Sequence, residues 1–167
     1  MWPGLEARFA VNVLLIAIDT LRADHLGCYG YHRATSPHID ALAAGGVVCE
    51  RAFASAIPTH PSFATLYTGQ YSITHGIVAH GGKRDVPRTA PWLPEILLRN
   101  GYTTCAIDNL AETRLGFSRG YEFYIDPTNK RVLNIGADNR VINERAIPWL
   151  EQYAREKFFM LIHYWDP

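Results

Sequence analysis

A charge excess of one sign, a cysteine framework and a membrane-length apolar run are all missing from this chain of 167 residues. Its 16 Lys and Arg balance 16 Asp and Glu, so nothing favours nucleic acid or an anionic membrane as a partner. Cys28, Cys49 and Cys105 are the only cysteines; three thiols cannot all pair, and none stands at metal-ligand spacing. The apolar run at 11–18 is too short to cross a bilayer. Residues 1–8 ahead of it resemble the start of a secretion signal, but no small-residue cleavage site comes after it and the run ends in an acid, so a core strand is expected instead. Cytoplasmic location is the default expectation. There is no internal repeat, low-complexity tract or interdomain linker. With 48% apolar and 19% charged residues, the composition is that of a globular domain long enough to bury a sizeable core.

What the chain does contain starts with Val11-Asn12-Val13-Leu14-Leu15-Ile16-Ala17-Ile18. Rich in β-branched residues, it predicts a strand buried on both faces. It ends abruptly at Asp19-Thr20. In open α/β sheets ligands collect beyond the carboxyl ends of strands, so Asp19 is placed to reach a metal or a substrate. The plainer alternative is that Asp19 caps the turn or pairs with Arg22 or Arg51.

A second segment, Pro58-Thr59-His60-Pro61-Ser62-Phe63 through Gly69, reads as a helix. It has a capping hydroxyl in Thr59, an early proline in the turn that does not use its N–H, and a closing glycine. A helix N-terminus carries about half a positive charge, which favours an alkoxide and an anionic ester at Thr59. Read alone, Thr59 is an ordinary N-cap, and only the rest of the chain argues otherwise.

The remaining segments alternate between periods. A helix from Ser36-Pro37 carries Ile39, Leu42 and Ala43 on one face and ends at Gly45-Gly46. Residues 47–54 are a strand candidate. Residues 76–91 form a loop rich in Gly, Pro and basic residues. A short helix at 93–99 is closed by Asn100-Gly101, and a strand at 103–107 again ends in an acid, Asp108. Helical spacing returns at 138–153, where Pro148 is expected to kink the helix or start a new turn. The run 158–162 predicts another buried strand delivering His163 and Asp166 to its carboxyl end. Alternating strands and helices imply an α/β fold, a mostly parallel sheet sandwiched by helices.

These segments, in this order, resemble the N-terminal part of a sulfatase-family enzyme of the alkaline phosphatase superfamily. Asn12 through Asp19-Thr20-Leu21-Arg22-Ala23-Asp24-His25-Leu26-Gly27-Cys28-Tyr29-Gly30 is similar to the family's opening strand and metal loop. Thr35-Ser36-Pro37-His38-Ile39-Asp40 resembles the approach to its nucleophile. Leu66-Tyr67-Thr68-Gly69 and His75-Gly76 resemble the segment beyond that nucleophile. Gly101-Tyr102-Thr103-Thr104 resembles the second family signature, and Arg119-Gly120-Tyr121-Glu122-Phe123-Tyr124 the aromatic stretch after it. The likeness runs from Asn12 almost to Pro167. It implies that residues 1–167 are the N-terminal part of a single catalytic domain, truncated at its C-terminus, since family members are longer and place further metal ligands downstream.

The departures redirect the expected chemistry. The family pairs two acids after the first strand, but Thr20 stands second here, leaving Asp19 as the metal ligand carried over. The family's C/S-x-P-S-R pattern reads Thr59-His60-Pro61-Ser62-Phe63. Oxidising a threonine gives a ketone, so a formylglycine hydrate is unavailable, and Phe63 removes the usual Arg. The Lys and His of the second signature are also missing, where Asp108-Asn109 stands. Related branches use an unmodified Thr or Ser on phosphorus. The resemblance therefore implies a metal-dependent hydrolase of sulfate, phosphate or phosphonate esters. Thr59 would be nucleophile and metal ligand beside Asp19, and the cofactor a divalent ion, Ca as in sulfatases or Mn or Zn if Thr59 attacks.

The partner implied is a small anionic ester. His60, Asn109, His163 and Asp166 are candidates for substrate contact or for supporting the site, with turn capping an equal reading for Asp108 and Asn109. His75 and His80 are either contacts to an anionic substrate or metal or ordinary loop histidines. Arg22 and Asp24 read as a structural pair. The alternative class is a catalytically silent module that binds an anion or a partner; Thr20, Phe63 and Asn109 favour it.

Overall fold

The computed structural model describes residues 11–80, 84–128 and 138–167. The leader-like segment 1–8 and three residues of the loop at 76–91 lie outside them. Four parallel strands form one sheet: β1 (Val13–Ile18), β2 (Thr103–Ile107), β3 (Phe123–Ile125) and β4 (Phe158–Tyr164), in the order β1-β4-β2-β3. Five helices accompany them, α1 (Pro37–Ala44), α2 (Thr59–Thr68), α3 (Ser72–His75), α4 (Leu93–Arg99) and α5 (Asn139–Tyr153). The expected α/β architecture with a parallel sheet is present. Among the described residues no helix is long and apolar enough to cross a membrane.

Period-2 alternation along the strands divides the core into two layers. Ala106 and Leu161 face one side with Phe63, Ala64 and Tyr67 of α2, Trp92 and Phe117. Cys105, Ile107, Met160 and Ile162 face the other with Ile142, Ala146 and Trp149 of α5. Helix α5 begins at Asp138, whose carboxylate accepts from the Arg140 N–H, and runs unbroken through Pro148. Asn100 caps α4, and Gly101 then takes φ +77°, as the Asn-Gly pair predicts.

Three expectations are corrected. β1 is not buried on both faces: Leu14 and Ile16 are 44% and 47% exposed, because α5 covers β2 and β4 and nothing among the described residues covers that face of β1. Residues 47–54 form no strand; Val47 and Phe53 are exposed, so their β propensity has no half-buried surface to pack against. Leu42, expected on the packing face of α1, is also exposed. The three-residue edge strand β3 is an addition, found inside the aromatic stretch.

Candidate active site at the carboxyl ends of the strands

Asp19 comes directly after β1, its backbone N–H donating to the Tyr164 carbonyl at 2.8 Å, which holds it at the carboxyl edge of the sheet. Thr59 opens α2, with Pro58 in the cap position. Its hydroxyl caps nothing; it donates instead to Asp19 Oδ2 at 2.8 Å. The two residues that local rules place separately, one at a strand end and one at a helix start, thus share one hydrogen bond to a carboxylate, a strong class of contact. Both line a cleft of about 940 Å³ with Thr20, Phe63, His80 and Trp165. Asp19 pairs with neither Arg22 nor Arg51; Arg22 holds Asp24 through two hydrogen bonds, 2.9 and 2.5 Å. That guanidinium, then His25, keeps the Asp24 carboxyl well below the usual carboxylate range.

Thr20 takes φ +59°. A β-branched side chain in the left-handed region is strained, and such outliers gather at sites where surrounding structure imposes them. The turn keeps Thr20 and Leu21 on the cleft wall beside Asp19.

His163 lies on β4 with its side chain fully buried. Its Nδ1 is 2.8 Å from Asp108 Oδ1, and Asp108, 1% exposed, also accepts from the Tyr124 hydroxyl at 2.6 Å and the Leu110 N–H at 3.0 Å. Three donors converging on one buried carboxylate satisfy it fully. Burial, then the charge of Asp108, pushes the Tyr124 phenol far up, so its proton stays in place. The other ring nitrogen, His163 Nε2, has no hydrogen-bond partner and stands 3.8 Å from Asp19 Oδ2. Phe63 packs against this imidazole, centroids 4.6 Å apart, and so does Trp165, at 4.7 Å. Phe63, the residue in place of the family's Arg, is therefore a wall of the His163 pocket.

The remaining candidates occupy different depths. Asn109 Oδ1 accepts from the Trp165 indole at 2.8 Å and so braces the ring that lines the cleft. Asp166 is exposed, and its backbone carbonyl accepts from the Asn139 side chain at 3.3 Å; it is not among the cleft-lining residues. His60 is buried behind the cleft, Nδ1 at 2.7 Å from His80 Nδ1 and Nε2 at 2.7 Å from the Thr113 hydroxyl. Two ring nitrogens share only one proton. With the Thr113 hydroxyl aimed at the Leu110 carbonyl, His60 Nε2–H donates to Thr113 and His80 Nδ1–H donates to His60. Burial lowers the His60 pKa. His75 is away from the cleft: its Nδ1 accepts from the Ile77 N–H at 3.1 Å and its Nε2 meets the Thr65 hydroxyl at 3.1 Å, tying α3 to α2.

Trp165, Tyr124, Thr113 and Arg114 enter the site without having been singled out for it. Trp165 had a signal, since it lies two residues after His163 and so shares its face. Arg114 had none. Its guanidinium donates to the backbone carbonyls of Ala79, His80 and Arg84, clamping the loop that carries His80.

The arrangement suits a divalent cation in part: a carboxylate and a hydroxyl offer hard oxygens, and an orphaned imidazole nitrogen points at them. Among the described residues no cluster of three or more His, Cys, Asp or Glu side chains forms.

Comparisons with known proteins identify the family and the fold. The family model described as Sulfatase matches residues 11–167. Steryl-sulfatase of Rattus norvegicus is 35% identical over 102 residues, covering 56% of this chain and 18% of that protein. Arylsulfatase A of Homo sapiens is 31% identical over 105 residues, covering 60% and 21%. The chain thus spans about a fifth of the length of these curated relatives. Among solved structures, phosphonate monoester hydrolase of Agrobacterium radiobacter superposes with TM-score 0.74 at 22% identity, over 92% of this chain and 40% of that one.

Proposed function

Since the chain belongs to the sulfatase family, we propose that it contributes the nucleophile half of a metal-dependent hydrolase acting on sulfate, phosphate or phosphonate esters, with unmodified Thr59 attacking. The observation that carries this reading is the 2.8 Å hydrogen bond from the Thr59 hydroxyl to Asp19 at the floor of the cleft. Asp19 and Thr59 are the residues that would hold the divalent ion. When bound, such an ion lowers the pKa of a hydroxyl it coordinates and offsets charge that develops on the reacting oxygens.

The chain's own residues do the rest. Asp19 fixes the Thr59 rotamer and accepts the hydroxyl proton, so Oγ1 presents its lone pairs to the cleft. The first turn of α2 adds its positive dipole end, favouring an anionic ester there. Attack forms the bond from Oγ1 to sulfur or phosphorus and breaks the bond to the alcohol oxygen, which leaves with the proton that Asp19 took from Thr59. Water then cleaves the Thr59 ester and restores the hydroxyl. The apolar walls, Phe63 and Trp165, limit water around the reacting atoms.

The test is turnover of p-nitrophenyl sulfate, phosphate and phosphonate esters by the full-length protein with Ca, Mn or Zn, beside Thr59→Ala. Metal-dependent turnover that the variant loses while keeping its circular dichroism supports the reading. Activity surviving in Thr59→Ala refutes Thr59 as nucleophile. No turnover with any ester favours the silent anion-binding module, for which Phe63 in the place of an arginine is the supporting observation.

A further inference from the structure

Strand register sets four polar residues in one row. Ala17 pairs with His163, and Ala106 pairs with both Leu161 and Tyr124. Residues two apart on a strand share a face, so Asp19, His163, Asp108 and Tyr124 lie on one side of β1, β4, β2 and β3 in turn. The row runs from the Tyr124 hydroxyl to Asp108 at 2.6 Å, from Asp108 to His163 Nδ1 at 2.8 Å, and across 3.8 Å from His163 Nε2 to Asp19 Oδ2, with Thr59 on that same oxygen.

The last gap is the informative one. Asp108 only accepts, so a neutral His163 carries its proton on Nδ1 and its lone pair on Nε2. Phe63 and Trp165 pack against the ring, which is fully buried, and Nε2 has no hydrogen-bond partner among the described residues. A bare nitrogen facing a carboxylate oxygen at 3.8 Å sets two lone-pair donors against each other unless a positive centre joins them. We propose that His163 Nε2 is a nitrogen donor to the divalent ion held by Asp19 and Thr59, and that Asp108 and Tyr124 are positioning residues that fix its tautomer and direction. An imidazole whose other N–H is held by a carboxylate is the usual support of a metal-ligating histidine. A donor set of carboxylate, hydroxyl and imidazole selects zinc or manganese over calcium, which takes oxygen alone.

This inference rests on the metal reading above, and the experiment separates the two. The full chain, stripped with chelator, is titrated calorimetrically with Zn, Mn and Ca, and its cobalt form is examined by proton NMR. The wild type is expected to bind Zn more tightly than Ca, and Asp19→Asn to lose both. His163→Gln should weaken Zn by at least about 100-fold and Ca by little, and Asp108→Asn should weaken Zn by about 10–100-fold. The cobalt form should show one strongly shifted, exchangeable imidazole N–H signal, which needs no variant at His163. Binding of Zn by the wild type without that signal, or equally by His163→Gln, overturns the inference and leaves the metal reading standing; Nε2 then carries a proton facing Asp19. No metal bound by the wild type overturns both.

Discussion

Replacing Asp108 by Asn tests the polar row through stability alone. The carboxylate is 1% exposed and receives three donors, from His163, Tyr124 and Leu110. An amide of the same shape keeps one oxygen and turns an NH2 toward at least one of those donors. A buried donor left unpaired costs about 1–3 kcal/mol, and hydrogen bonds to a charged acceptor exceed neutral ones by about 1 kcal/mol. The sum is about 2–4 kcal/mol, which for a domain of this size lowers Tm by about 4–16 °C. Tyr124→Phe removes one donor and leaves the carboxylate two others, so a smaller loss of about 1–2 kcal/mol is expected. Because both substitutions act on the same carboxylate, the double variant should fall short of additivity by at least about 0.5 kcal/mol. Urea unfolding monitored by circular dichroism measures all four proteins. An Asp108→Asn variant within about 0.5 kcal/mol of wild type, or a strictly additive double variant, refutes the row as a buried, fully satisfied network.

Thr20→Gly should stabilise the protein. The left-handed conformation at φ +59° costs a non-glycine residue about 1–2 kcal/mol, of which glycine's greater freedom in the unfolded chain takes back about half, and the exposed Thr20 side chain loses little packing. A rise in Tm of about 1–4 °C is expected, and a fall contradicts the strain. Stability should also decline below pH 6.5, because burial lowers the pKa of both His60 and His75 from 6.5. The unfolded chain takes up their protons first, so their contribution is present above pH 6.5 and is lost as pH falls through the folded values. At the alkaline end burial pushes the Cys105 thiol up to about 12 from 9.0, so its contribution holds below pH 9 and is lost as pH rises towards 12. A Tm independent of pH between about 5 and 7 contradicts the histidine assignment.

Local rules reached Asp19 and Thr59, because each sits where an element changes: a strand end and a helix start. That they meet depends on α2 docking across the sheet, which no spacing in the sequence encodes. The same holds for Asp108 and His163, 55 residues apart. Each was legible as a strand-end residue, but their contact depends on β4 lying between β1 and β2, and strand order is a tertiary property. Residues 47–54 misled because β propensity shows itself only where side chains pack on a half-buried surface, and Val47 and Phe53 are exposed. β3 escaped notice because three residues are too few to display a period. The His60 and His80 pair lay on two segments 20 residues apart, joined through the loop that Arg114 clamps.

The pairing of β1 with β4 also sets a clock. Asn12 Oδ1 accepts from the Phe158 N–H, a closure across 146 residues. At translation rates of about 5–20 residues per second, the apolar strand that ends in Asp19 waits about 7–30 s for its only sheet partner among the described residues. Until then Val13-Leu14-Leu15-Ile16 is an unpaired, aggregation-prone edge of the kind that chaperones bind, and parallel pairing at such separation is slow. The docking of β4 brings His163 beside Asp19 in the same step that joins β1 to the other strands, so fold and site assemble together at this edge.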